Sequence, residues 1–167
     1  MIESYLEWTP KIHPSVYVHP TACIIGNVII EANCSVWPYA VIRGDIGSIR
    51  IQEGTNIQDH ALIHISNGTS VNIGKYVTIG HHAIIHGAHV DDEVLIGMGS
   101  VLLDDSHILK HSIVGASALV TAKKTFLEGS LILGSPAKRV KEVTQQEIVG
   151  IKENAEHYIQ LKENMKR

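Results

Sequence analysis

Aromatic side chains are scarce: they make up 5% of the 167 residues, with a single phenylalanine. A packed interior therefore has to be built from Ile, Val, Leu and Ala. Hydrophobic residues still reach 44%, enough in a chain of this length for one domain with a sizeable core. Cysteine is nearly missing as well. Two thiols, Cys23 and Cys34, make no disulfide framework and point to a reducing, cytoplasmic location. No apolar run is long enough to cross a bilayer, and Met1 opens into mixed sequence with no signal peptide, so no membrane partner is expected. A basic block is also lacking. The net charge is −3 with both signs scattered, which argues against nucleic acid. Histidine is the exception, with eleven copies. Three of them fall within the apolar, glycine-punctuated stretch VTIGHHAIIHG (77–87).

Repeats decide the fold class before any single strand or helix does. Val18, Ile24, Ile30, Val36 and Ile42 are aliphatic and six apart, and Ala22, Val28, Cys34 and Ala40 stand four residues after the first four of them. The beat resumes at Ile51, Ile57 and Ile63, again at Ile73, Ile79 and Ile85, and last at Val90, Ile96, Leu102, Ile108, Val114 and Val120. Neither a helical period nor simple alternation explains six. A parallel β-helix with a triangular cross-section does. Each hexad makes one flat side, its first residue points inward and its fifth fills a corner, and three hexads close a coil stacked about 4.8 Å above the last. Gly26, Gly54, Gly74, Gly97 and Gly115 are expected at or near turns.

The beat breaks at Ile42–Ile51, Ile63–Ile73 and Ile85–Val90, where inserted loops are expected beside the rigid scaffold. It ends at GSPAKRVKEV (134–143). Thr144 and Glu147 then read as a capping box for a helix over roughly 145–165, with Ile148, Ile151, Ala155, Tyr158 and Met165 near one face. The expected organisation is a β-helix over 1–140 followed by a helical segment, 141–167, packed on it.

Labelling the sides A, B and C in rotation puts Ile42, Ile63 and Ile85 on side A, and Ile57 and Ile79 on side C. Arg43, His64 and His86 then stack in one outward column on side A. Asp59 and His81 stack on side C. His64 and His86, one coil apart, can reach a single metal. His81 points away around a corner and can join them only from a neighbouring subunit in a cyclic trimer, side A against side C. Three histidines with an open fourth position suit a catalytic Zn²⁺, which lowers the pKa of bound water towards neutrality.

The segments RGD (43–45), TNIQD (55–59), IH (63–64), TIGHHAIIHG (78–87), LIGMGS (95–100) and GSPAK (134–138) resemble the gamma-class carbonic anhydrases and their close homologues, over about residues 10–140. The resemblance implies a left-handed β-helix, a homotrimer and one metal per interface. His64 and His86 would come from one subunit and His81 from the next. The matches at Gln58, Arg43, Asp45 and Asp59 imply residues that orient metal-bound water or tie subunits together. Ile46 stands where archetypal members carry a glutamate after RGD. The loop ISNGTSVN (65–72) is short and lacks acids, where those members carry a proton-shuttling glutamate. Hydration of carbon dioxide releases a proton, so a missing shuttle predicts slow turnover.

The expected architecture is thus all-β with a C-terminal helix, a left-handed parallel β-helix of hexapeptide repeats. The expected activity is reversible hydration of carbon dioxide to bicarbonate by zinc-bound hydroxide, with Fe²⁺ or Co²⁺ as other candidate metals. The rivals are an acyl-CoA-dependent acyltransferase using an unligated histidine, a metal-dependent thioesterase or other hydrolase, and a non-catalytic metal-binding homologue.

Overall fold

The computed structural model describes residues 1–165, so the last two residues of the expected helical segment lie outside the described residues. The chain forms a left-handed parallel β-helix of about seven turns closed by one terminal helix. Six residues per side leave only two or three for extended pairing, because the others turn the corner. Most strands are accordingly two or three residues long.

The inward columns follow the six-residue beat. On side A, Ile24, Ile42, Ile63, Ile85, Leu102 and Val120 are successive register partners. On side C the run is Val18, Val36, Ile57, Ile79, Ile96 and Val114, extended to Ile132. Side B stacks Ile30, Ile51, Ile73, Val90, Ile108 and Phe126. All of these except the half-buried Val18 are buried in one continuous core. Each such aliphatic side chain contributes about 1.5–3 kcal/mol by leaving water.

Gly54 lies in a turn and Gly74, Gly97 and Gly115 stand just before one, as expected, while Gly26 lies inside the strand Cys23–Ile30; glycine alone does not make the corners. Gly26 and Gly54 do adopt positive φ, at 79° and 72°, but so do His60, Tyr76, His82, Glu93, His111 and Ser117, all between 51° and 59°. Each of these donates its N–H to a carbonyl one coil below, as in His60 to Pro38 at 3.0 Å, His82 to Asp59 at 3.0 Å and Ser117 to Met98 at 2.8 Å. The cross-coil hydrogen bond offsets the left-handed cost of about 1–2 kcal/mol. Gly97 has another task. A Cβ there would lie 2.5 Å from the Ala116 nitrogen and 2.6 Å from the Gly115 carbonyl carbon, so glycine lets the coils stack.

The breaks in the beat are also not all loops. Ile42–Ile51 runs inside one continuous strand, Val41–Ile51, which follows Cys23–Ile30 around the A–B corner with a register shift between Gly26 and Val28. Ile85–Val90 is a tight corner with Gly87 at φ 60°. Only the segment between Leu62–His64 and Val71–Ile73 leaves the coil as a loop.

Ser130–Gly134 continues side C, and Ala137–Glu142 folds back antiparallel on it. The helix follows over Gln145–Met165. Its capping box is present: the Thr144 amide donates to Glu147 at 2.7 Å and the Glu147 amide to the Thr144 hydroxyl at 3.2 Å. The helix lies on side C across Tyr17–Val18, Ser35–Val36, Asn56–Ile57 and Thr78–Ile79. Ile151 and Ala155 are buried as expected, but Met165 is exposed and Lys162 is buried instead. The spacing 151, 155, 158, 162 keeps that residue on the inner face. Its ammonium is satisfied by the Ser15 carbonyl at 3.1 Å and by Glu163. No helix among the described residues is long and apolar enough to cross a membrane.

Candidate metal centre

His64 ends the strand Leu62–His64, and His86 ends Ile84–His86, its direct register partner one coil on. Ile63 and Ile85 are buried, so pleating turns the next residues outward. The rings meet with His64 Nδ1 and His86 Nε2 3.3 Å apart. Two nitrogens bound about 2.0–2.1 Å from one tetrahedral ion lie roughly that far from each other. Each ring is held at its far nitrogen. His64 Nε2 pairs with Asp45 Oδ1 at 2.9 Å, and His86 Nδ1 pairs with Asp104 Oδ1 at 2.8 Å. The carboxylates are held in turn, Asp45 by Arg43 and Asp104 by the Ser66 hydroxyl at 2.8 Å. A carboxylate only accepts, so it fixes the far nitrogen as N–H and leaves the facing nitrogens as lone pairs. A cation between the rings satisfies both, and the donor set fits a zinc-type ion.

The two carboxylates are tuned to stay charged. Partial burial raises Asp45, but hydrogen bonds from His64 and from its own amide, with Arg43 alongside, outweigh it and hold the carboxyl below its usual range. Asp104 is lowered in the same way. Burial raises it, and the Ser66 and His86 hydrogen bonds with the nearby imidazoles more than offset this.

His81 lies on side C, in the turn after Thr78–Ile79. Its Nδ1 is 3.0 Å from Asp59 Oδ2, one coil below. Within a single chain His81 does not join the other two: among the described residues no three His, Cys, Asp or Glu side chains converge on a metal position. Gln58 is buried nearby, and its Nε2 donates to Asn56 Oδ1 at 3.1 Å. Asn56 and Asn154 both donate to the Thr78 hydroxyl, at 2.9 and 2.8 Å. Tyr158 packs edge-on against Trp37 at 5.6 Å. Burial, and secondarily the Asp59 charge, push its phenol above the usual value, so it remains a hydroxyl donor.

The expected residues therefore fall into two groups on different sides of the solenoid. Side A carries Arg43, Asp45, His64 and His86, and side C carries Gln58, Asp59 and His81. His60 and His82 stay apart: at the C–A corner His60 stacks on Tyr39 with ring centroids 5.0 Å apart, and His82 stacks on His60 at 4.7 Å. Sequence reasoning missed Asp104, Ser66 and Asn154. Asp104 gave no clear signal: the coil from Ile85 to Leu102 is 17 residues long, which puts Asp104 one place past the position opposite His86.

A parallel solenoid of six-residue sides defines a hexapeptide-repeat protein, and residues 9–44 match the family described as Bacterial transferase hexapeptide (six repeats). Gamma carbonic anhydrase 2, mitochondrial, of Arabidopsis thaliana is 39% identical over 160 residues, which cover 92% of this chain. The chain spans only 57% of that plant protein's length. Protein YrdA of Escherichia coli K12 is 34% identical over 170 residues, covering 98% of this chain and 92% of YrdA. The crystal structure of a hexapeptide transferase family protein from Anaplasma phagocytophilum superposes with a TM-score of 0.95 at 35% identity, over 98% of this chain and 97% of that one. The chain belongs to the gamma carbonic anhydrase-like family of hexapeptide-repeat proteins.

Proposed function

We propose that the protein is a metal-dependent enzyme of the gamma carbonic anhydrase type, catalysing reversible hydration of carbon dioxide to bicarbonate and a proton. The observation that carries this reading is the His64–His86 pair, lone pair facing lone pair at 3.3 Å with a carboxylate behind each ring. In a homotrimer with side A of one copy against side C of the next, His81 of the neighbour supplies the third imidazole. Zn²⁺ is the metal best suited to three nitrogens, and Fe²⁺ or Co²⁺ also accept them. Such an ion lowers the pKa of a coordinated water towards neutrality, which is the chemistry that carbon dioxide hydration needs.

The chain's own groups position that chemistry. Asp45, Asp104 and Asp59 each hold one nitrogen of a histidine, which fixes the tautomer and presents the other nitrogen. Arg43 keeps Asp45 anionic and aimed at His64. Gln58 commits its amide N–H to Asn56, so its Oε1 is the end that accepts a hydrogen bond and orients a hydroxyl. The loop 65–72 brings no carboxylate to carry the released proton away, so turnover depends on buffer. Stopped-flow hydration of carbon dioxide on protein with verified metal content tests the reading. One zinc-like ion per chain and activity that rises with imidazole buffer are expected. A metal-free trimer with undiminished activity would end it.

A further inference from the structure

The corner that follows His86 is built around a missing atom. Ile85 lies opposite Leu102 on the next coil, so counting on two places sets Asp104 over Gly87 and not over His86. The Asp104 carboxylate reaches His86 Nδ1, at 2.8 Å, by leaning back across that glycine. A Cβ at position 87 would overlap Asp104 Oδ1 and lie 3.1 Å from its Cγ. It would also lie 2.8 Å from Thr69 Oγ1. That hydroxyl accepts from the Ser66 amide and donates to the Ser66 carbonyl, both at 3.0 Å. It thereby closes the turn from which Ser66 holds the other Asp104 oxygen. The Gly87 backbone joins the same parts. Its N–H donates to the His64 carbonyl at 2.9 Å, and its carbonyl accepts from the Asp105 amide at 2.8 Å. Backbone conformation alone does not demand glycine here. Gly87 has φ 60°, but His82 at 57° and Ser117 at 58° hold the same corner conformation with side chains. What sets position 87 apart is the carboxylate lying over it.

We propose that Gly87 is a positioning residue for the metal centre: it leaves the space through which Asp104 reaches His86, and any side chain there turns the carboxylate away. Glycine is the residue that lets other groups approach a backbone this closely. The atom in the way is the far end of a rotatable side chain, so the carboxylate gives way before the coil does. His86 then loses the group that fixes Nδ1 as N–H and presents Nε2. The inference rests on the metal reading for what is bound. The path from Gly87 through Asp104 to His86 stands on the contacts alone.

A double-mutant cycle on the full-length protein tests it, with zinc affinity read by competition against a chelator. Gly87→Ala should weaken zinc about tenfold, the loss expected for removing the Asp104 carboxylate itself. In an Asp104→Ala background Gly87→Ala should cost almost nothing further, because the group it displaces is gone. Gly129→Ala is the control for backbone conformation. Gly129 has φ 65° with nothing within 4 Å of a Cβ, so that variant should bind zinc as the parent does. Zinc affinity of Gly87→Ala within about twofold of the parent overturns the proposal. Two losses that add in the double variant also overturn it, and so does an equal loss in Gly129→Ala. Should Gly87→Ala not fold, removing Asp104 as well must restore folding; a double variant that stays unfolded counts against the proposal in the same way. A second readout needs no metal. In zinc-free protein the imidazole nitrogen shifts of His86, read by long-range proton–nitrogen correlation, should show Nδ1–H in the parent and a gain of Nε2–H in Gly87→Ala. An unchanged tautomer refutes the role given to Gly87. The two readings fail separately. A parent that binds no zinc ends the metal reading and leaves the tautomer to decide the role of Gly87, while a zinc-binding parent whose Gly87→Ala variant is unaltered does the reverse.

Discussion

Removing the Asp104 carboxylate tests whether the brace behind His86 serves metal binding. Asp104 Oδ1 lies 2.8 Å from His86 Nδ1 and its other oxygen accepts from Ser66 at 2.8 Å. Carboxylates placed behind metal-binding imidazoles contribute 10- to 100-fold in affinity, about 1.4–2.7 kcal/mol. The His86 and Asp104 side chains are 29% and 33% exposed, so solvent screening places the expected loss near the lower end, about tenfold. Asp104→Ala should therefore weaken zinc about tenfold. Ser66→Ala, which only loosens the brace and leaves the His86–Asp104 contact in place, should cost less, roughly threefold. The pair His107–Asp91 on side B is an internal control. It has the same chemistry at 2.7 Å, but its histidine neighbour His89 meets it edge-on with ring centroids 6.0 Å apart rather than nitrogen to nitrogen, so Asp91→Ala should leave zinc binding unchanged. Competition against a fluorescent chelator gives the affinities, and circular dichroism confirms that each variant is folded. If folded Asp104→Ala binds zinc within twofold of the parent, or Asp91→Ala loses as much, the brace has no role in the site.

Four further outcomes are expected. His81→Ala and His64→Ala should each be inactive, and verified mixed trimers of the two should regain activity, because one interface in such a trimer joins an intact side A to an intact side C; no recovery would count against a shared site. Gly97→Ala should destabilise by about 1–3 kcal/mol in urea, since its methyl meets backbone rather than a movable side chain, whereas Gly150→Ala, with nothing within 4 Å, should stabilise the helix by about 1 kcal/mol. Burial pushes the Cys34 thiol up to about 12, so iodoacetamide at mildly alkaline pH should label Cys23 in the native protein and reach Cys34 only after unfolding, as peptide mass spectrometry would show. The Thr144 amide and Lys141 hold Glu147 below its ordinary value of 4.5; this depressed carboxyl stabilises fully above that value and loses its effect as pH falls through the lower folded one. The gap in melting temperature between the parent and Glu147→Gln should close over that acidic window, and a constant gap would refute the capping role.

The inward columns were readable because one rule sets them. A flat side of six residues sends its first residue into the core, and Ile63 over Ile85 follows from counting. The same count placed His64 against His86. Counting failed where another force decides. His60, His82 and Ser117 occupy left-handed corners because their N–H groups bond across coils, a relation no single hexad displays. The residues from Ile42 to Ile51 looked like an insertion and pair instead as one strand, since extra residues can bend around a corner without losing hydrogen bonds. Lys162 was passed over in favour of Met165 because a cation is an unusual helix-face residue, yet the Ser15 carbonyl was waiting for it. Asp104 is not legible by counting, because the shortened coil from Ile85 to Leu102 leaves it one place past the position opposite His86.

A stacked solenoid is close to one-dimensional: each coil touches only its neighbours, and such arrays fray from their ends. Here the terminal helix changes that. Val143, just before it, bonds Gly129 in the last coil, and Lys162, near its end, bonds Ser15 in the first. A helix of 21 residues spans about 31 Å, close to the roughly 29 Å covered by six coil spacings. It acts as a splint of matched length, tying bottom to top, so that neither terminal coil can peel away without first releasing the helix, and the array opens as one unit.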